Sequence, residues 1–265
     1  MRPDSMNASK PVFIIDTCIG GLSVVRSLHA SERVDDAVFV ADYAVNPLGV
    51  KSTAEIADVV RRWLTMAEQN SDTALIACNT LSVHYQQLAA AQALSTGLKQ
   101  VVSMVDCFTN MVRGEADRLV DKKVLIIGTA FTASQSVYAD LLKETLPGIQ
   151  VATVAATDLE RRIARFEPAT SAGRSFSDPG LVSAIETTDV AILACTCFPL
   201  ILGELKSRFP DVLFLDPGEY CGHLLTQGAP RTPASLQIRV TGDVVSPTRV
   251  TEFAQAYLGD SCVIS

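Results

Sequence analysis

Two short phrases are each written twice in this chain, and their spacing constrains the fold more than any other feature. ALIACNT spans 74–80 and AILACTC spans 191–197, while VFIIDT spans 12–17 and VLIIGT spans 124–129. The first pair is offset by 117 residues, counted from Cys78 to Cys195, and the second by 112, counted from Thr17 to Thr129. Each phrase is an apolar run that gives way to small polar residues, the pattern of a buried strand whose C-terminal end opens on a crevice. Two landmarks recurring at nearly one spacing predict two similar α/β lobes.

The intervening sequence keeps the same rhythm. Strands are predicted at 12–16, 37–42, 74–78, 99–106, 123–128, 149–155, 190–195, 212–216 and 237–243. Helices are predicted at 22–30, 52–69, 81–94, around 107–120, 134–146, near 158–166 and 178–187, 200–209 and 248–259. In the second of these, Ser52 and Glu55 form a capping box, and Ile56, Val59, Val60, Trp63, Leu64 and Ala67 line one face. Alternation of this kind means parallel sheets covered by helices on both faces, with ligands at the strand C-terminal ends. The expected fold is therefore α/β, with two similar lobes, each a mostly parallel sheet flanked by helices. They should be related by a pseudo-two-fold, with the site between them. The first lobe would comprise 1–105 and 217–265 and carry Cys78; the second would comprise 106–216 and carry Cys195. The final strand and helix should pack back on the first lobe, and 167–180, rich in Ser, Pro and Gly, reads as a long connection or flap.

Bulk properties narrow the partners. A net charge of −7 over 265 residues leaves no basic footprint for nucleic acid, so small molecules are favoured. No uncharged apolar stretch is long enough to cross a bilayer, and the polar start MRPDSMNASK lacks a signal-peptide core, so no membrane partner and a cytoplasmic address are expected. Seven cysteines, an odd number without a framework, are expected as free thiols in a reducing compartment.

Two readings of Cys78 and Cys195 stand side by side. Each could be a buried strand cysteine acting as a small hydrophobe. Alternatively, one thiol on each side of a carbon could remove a proton from one face and return one to the other, since an ordinary Cys pKa near 8.5 is close enough to neutrality to be tuned. Neighbouring Asn79, Thr80 and Thr196, with the N–H groups that open the following helices, could hold a carboxylate. Asp16 ends its strand at the same sheet edge and could orient a thiol, bind an ammonium group or simply cap its turn. Cys195 and Cys197 invite a metal reading, but His29, His84 and His223 supply no matching ligand spacing, and no metal is expected. His84 is expected to be structural. Gly20-Gly21 opens a helix without the G-x-G-x-x-G fingerprint, so no nucleotide site is expected.

These segments resemble the glutamate racemase family, within the cofactor-independent aspartate/glutamate racemase superfamily. FIIDTCIGGLSVVR (13–26) is similar to the family's F-D-S-G-x-G-G-L-S-V-x-R, ADYAVNPLGVKS (41–52) to G-D-x-x-x-x-P-Y-G-x-K-S, and ACNTLS (77–82) to A-C-N-T-A-S. IGTAFTASQSVY (127–138) is similar to I-G-T-x-x-T-x-x-S-x-x-Y, ACTCFPLI (194–201) to G-C-T-H-Y-P-L-L, and VTGD (240–243) also has a counterpart.

The resemblance implies a racemase that uses neither pyridoxal phosphate nor metal, with glutamate as the leading substrate and a homodimer as the assembly. Cys78 would act on the D-enantiomer and Cys195 on the L-enantiomer, with Asp16 assisting Cys78. Asn79, Thr80 and Thr196 would hold the α-carboxylate and amino group, while Thr17, Pro47, Leu48, Gly49 and Thr129 would shape the side-chain end. Cys197, Glu160 and Asp42 are implied auxiliaries, and D-glutamate for the peptidoglycan cell wall is an implied product. Three departures fall inside the motifs: Cys197 stands where the family has His, Leu48 where it has Tyr, and Thr17-Cys18 where it has Ser-Gly. A racemase or isomerase of another amino or dicarboxylic acid, such as aspartate, and a binding or regulatory homologue without turnover are the alternatives.

Overall fold

In the computed structural model, residues 10–31, 36–167, 178–225, 234–259 and 262–264 are described. Among the described residues ten strands form two sheets, and every pairing is parallel. The first sheet contains β1 (Val12–Asp16), β2 (Asp36–Asp42), β3 (Thr73–Ile76) and β4 (Gln100–Ser103). The second contains β5 (Lys123–Gly128), β6 (Gln150–Ala155), β7 (Val190–Ala194) and β8 (Leu213–Leu215). Returning at the C-terminal end, β9 (Ala234–Thr241) and β10 (Cys262–Ile264) extend the first sheet beyond β2.

The strand orders carry the duplication. The first sheet runs β10-β9-β2-β1-β3-β4 and the second β6-β5-β7-β8, so β2-β1-β3-β4 is repeated strand for strand. Register agrees with it: Ile15 pairs with Ile76 in the first lobe, two residues before Cys78, and Gly128 pairs with Ala194 in the second, one before Cys195. Both repeated phrases are thus central strands that end at matching edges.

Burial on both faces explains why these strands read as continuous apolar runs. Phe13, Ile15, Val38, Val40 and Ile76 face one side, where the buried stripe of the helix Thr53–Asn70 covers them. Val12, Ile14, Phe39 and Leu75 face the other and share one core with Leu125, Ile127, Ala191 and Leu193 of the second sheet. The lobes therefore meet through apolar packing behind the site. The capping box at Ser52 and Glu55 forms as predicted, and the C-terminal strand and helix return to the first sheet.

Several expectations are corrected. The strand predicted over 99–106 stops at Ser103, because Ser103 and Asp106 form a second capping box that starts the helix Met104–Gly114. The helix predicted over 134–146 is split into Ala130–Ser134 and Val137–Thr145, and β10 had no expected counterpart. Cys107 and Cys221 form a disulfide, contrary to the expectation of free thiols throughout. The helix Met104–Gly114 packs on the turn Pro217–Tyr220, which brings those two Cα atoms to 5.1 Å across 114 residues of chain. Cys18, Cys78, Cys195, Cys197 and Cys262 remain thiols. The leader through residue 9 and most of the 167–180 connection lie outside the described residues; Asp178, at its end, caps the helix Pro179–Glu186.

Candidate active site between the lobes

The site grows from strand ends. After β1, the chain turns through Thr17–Gly20 into the helix Gly21–Ala30, leaving Asp16 buried against that helix's N-terminus. Gly20 has ordinary helical backbone angles (φ −51°, ψ −39°), so its role is space rather than conformation. A Cβ there would overlap the Thr196 hydroxyl and come within 2.9 Å of the Cys197 nitrogen. The absence of a side chain lets the second lobe's Cys-Thr-Cys turn seat directly on the first lobe's opening turn.

Asp16 bridges the two halves. Its Oδ1 accepts the Thr17 N–H at 2.6 Å and the Thr17 hydroxyl at 3.4 Å, while its Oδ2 accepts the Thr196 hydroxyl from the other lobe at 2.7 Å. Burial outweighs these donors and pushes the carboxyl up to about 6. The Thr17 hydroxyl also lies 3.8 Å from Cys78 Sγ, so one hydroxyl links the carboxyl to the thiol. Burial, with the Asp16 charge adding to it, raises the Cys78 thiol well above its ordinary value; the Leu81 N–H of the following helix acts in the opposite direction.

Cys78 and Cys195, from opposite lobes, line the same cavity of about 420 Å³. Asp16, Thr17, Pro47, Leu48, Gly49, Asn79, Thr80, Thr129, Glu160 and Thr196 line it as well. Further contacts across the cleft close it. Tyr138 donates to Asn79 Oδ1 at 2.7 Å, and the Thr80 and Thr129 hydroxyls lie 3.4 Å apart. Asn79 Nδ2 is buried and finds no partner among the described residues.

Two of the anticipated residues lie elsewhere. Asp42 does not line the cavity: Trp63 Nε1 donates to it at 2.6 Å, Arg62 at 3.2 Å, and Thr241 binds its other oxygen, so it ties β2 to β9 and to the helix Thr53–Asn70. Cys197 is fully buried behind the cavity wall, where its Sγ lies 3.3 Å from Cys18 Sγ. His84 is buried and stacks on Phe131 at 4.6 Å.

Sequence reading missed other wall residues. Cys18, Tyr43, Asn46, Arg161, Arg165 and Val244 also line the cavity. Asn46 Nδ2 donates to the Thr17 carbonyl at 2.8 Å, holding the opening turn, and Tyr43 donates to the Ala164 carbonyl at 2.7 Å. Arg161 and Arg165 sit on the same helical stretch as Glu160, whose carboxyl burial raises to about 7, with Asp16 adding to the rise. The i, i+1 and i+5 placement of the two arginines after Glu160 was the available signal, but only the fold shows which face of that stretch meets the cavity.

Fold and site together define a two-lobe α/β protein in which each lobe contributes a thiol to one shared cavity. A family model described as Asp/Glu/Hydantoin racemase matches residues 23–221, and the chain belongs to that family. The glutamate racemase of Limosilactobacillus reuteri is 28% identical over 244 residues, covering 88% of each chain. Among solved structures, the glutamate racemase of Campylobacter jejuni superposes with a TM-score of 0.73 at 25% identity, covering 94% of this chain and 98% of that one. The glutamate racemase isoform RacE1 of Bacillus anthracis has the same fold, with a TM-score of 0.77 at 20% identity over 97% of this chain and 96% of the other.

Proposed function

We propose that the protein interconverts L- and D-glutamate by two-base proton transfer at the α-carbon. The observation that carries this reading is the convergence of Cys78 and Cys195, from opposite lobes, on one cavity. In the D-to-L direction the Cys78 thiolate takes the α-proton, and the Cys195 thiol delivers a proton to the opposite face. The electron pair left on the α-carbon becomes the new C–H bond; the reverse direction exchanges the roles. Thr17 and Asp16 provide a route for the Cys78 proton: the Thr17 hydroxyl can donate to Cys78 Sγ at 3.8 Å or to Asp16 Oδ1 at 3.4 Å, so its oxygen takes the proton leaving Cys78 as its own proton passes to Asp16.

Asn79, Thr80 and Thr196 supply amide and hydroxyl groups for the α-carboxylate and the developing carbanion, while Thr129 is assigned to the side-chain end. Thr17, Pro47, Leu48 and Gly49 shape the side-chain end. Arg161 and Arg165 on the same wall favour an acidic substrate. No step is routed through pyridoxal phosphate or a metal. The names of the Limosilactobacillus and Campylobacter relatives support glutamate over aspartate.

The test is incubation of each enantiomer of glutamate and aspartate in D2O, following optical rotation and α-deuterium together. Exchange with inversion of glutamate is expected. Faster inversion of aspartate would move the assignment to that substrate, exchange without inversion would leave a single working base, and no exchange would leave a binding homologue.

The lobe boundaries proposed are 105/106 and 216/217, supported by the change of sheet between β4 and β5 and between β8 and β9. A cytoplasmic homodimer making D-glutamate for the cell wall is proposed on the family likeness. Light scattering tests the dimer. Cell fractionation tests the location.

A further inference from the structure

In the wall of the cavity, with Cys197 just behind it, lies a side-chain cluster to which the proposed racemisation gives no role. Cys18 Sγ, Cys197 Sγ and a carboxylate oxygen of Glu160 all lie within 4.8 Å of one another. They come from three separate places: the turn after β1, the turn after β7, and the helix Thr157–Ala164. Cys18 and Cys197 are buried and their sulfurs are 3.3 Å apart. No hydrogen bond holds the half-buried Glu160 carboxylate among the described residues.

We propose that Cys18, Cys197 and Glu160 form a binding site for a thiophilic divalent cation of the Zn2+ type, spanning the two lobes. Two thiolates and one carboxylate are a donor set that zinc accepts. Thiolates select soft and borderline metals, and the carboxylate favours a divalent ion over Cu(I). Zinc–sulfur bonds of about 2.3 Å in a tetrahedron require sulfurs about 3.8 Å apart, so an opening of roughly 0.5 Å from the present separation suffices. The Gly20 N–H donates to Cys18 Sγ at 3.5 Å, an outer contact that favours a thiolate ligand. Cys18 and Glu160 line the cavity, so the ion has an entry path and its fourth position opens on that space. Binding exchanges two S–H protons for the metal: M2+ plus two thiols and a carboxylate gives the complex and two H+. No residue motif signals this site, because its ligands lie 142 and 37 residues apart in the chain and meet only in the folded protein.

The experiment titrates Co2+ into the full-length reduced protein after chelator treatment, and it reads metal rather than turnover, so it stands apart from the racemase assignment. One equivalent is expected, with near-ultraviolet thiolate-to-cobalt absorption and strong visible bands of a four-coordinate ion, all abolished when Zn2+ displaces it. The double variant Cys18→Ser/Cys197→Ser should lose the thiolate band. Glu160→Gln should keep it and bind at least about ten-fold more weakly. A Cys262→Ser variant should match the parent. Should the variants not fold, the parent protein alone decides: alkylation over hours, which reaches the buried Cys18 and Cys197 through transient opening, should modify both in metal-free protein and be blocked by saturating Zn2+, read by peptide mass. Absence of one-equivalent binding, a sulfur–cobalt band that survives the double variant, or alkylation of both thiols at saturating Zn2+ would each overturn the site.

Discussion

At the residue scale, the decisive contact is a hydroxyl shared between a carboxyl and a thiol. Thr17 lies within reach of both Asp16 and Cys78, and Asp16 is held from the other lobe by Thr196. Asp16→Asn keeps the shape but cannot accept the relayed proton, so kcat from D-glutamate should fall by about 10²–10⁴, the usual worth of a positioned general base. Because the Asp16 carboxyl is pushed up to about 6, the parent's kcat/KM should decline as pH drops through that value, and the Asn variant should lose this limb. A profile unchanged by the substitution would remove Asp16 from the chemistry. Gly20→Ala tests the approach of the lobes: its Cβ would strike backbone atoms of Thr196 and Cys197, which have no flexible end to yield. A loss of about 1–3 kcal/mol in urea denaturation is expected. Most of the cavity wall was legible because strand ends carry it, and a strand end is visible as an apolar run that stops. Asp42 was misread as a site residue because it too ends a strand, yet its partners, Trp63 and Thr241, lie 21 and 199 residues away.

At the element scale, the same capping chemistry was recognised once and overlooked once. Ser52 with Glu55 stands before an obvious amphipathic stripe, whereas Ser103 with Asp106 is embedded in the apolar run VVSMV, which reads as strand to its end. The cap overrides that pattern: Ser103 Oγ accepts the Asp106 N–H, and the Asp106 carboxylate accepts the Ser103 N–H at 2.8 Å. Ser103 Oγ also accepts from Gln86 Nε2 at 3.0 Å, joining this helix to the one that begins after Cys78. Ser103→Ala should therefore cost about 1–2 kcal/mol, measured by thermal or urea unfolding. A loss near zero would mean that packing of Met104, Phe108 and Met111, rather than the cap, sets where the helix starts.

At the scale of the whole molecule, the duplication was legible because it is written in strand vocabulary, while the closure of the cleft depends on pairs no periodicity reveals. Asp16 with Thr196, Asn79 with Tyr138 and Thr80 with Thr129 join residues 180, 59 and 49 positions apart. The way back from the second lobe to the first runs through Asp216, which follows β8 and caps the turn Pro217–Tyr220 by accepting the Gly218 N–H at 2.8 Å. That junction packs against the helix Gly21–Ala30, so the carboxyl is buried and is pushed up to about 7, with Glu219 adding to the rise. The sign of its effect on stability follows from the neutral form being the one the fold favours. Below about pH 4 both folded and unfolded chains hold the proton. Between about pH 4 and 7 the unfolded chain ionises while the folded one resists, so stability is lost as pH rises and levels off above 7. Asparagine keeps the acceptor for Gly218 and cannot ionise. Asp216→Asn should therefore stabilise the protein by about 1–3 kcal/mol at pH 8 and by little or nothing at pH 4.5 in paired urea titrations. Equal effects at the two pH values would mean that Asp216 is charged in the folded protein and that water reaches the junction between the lobes.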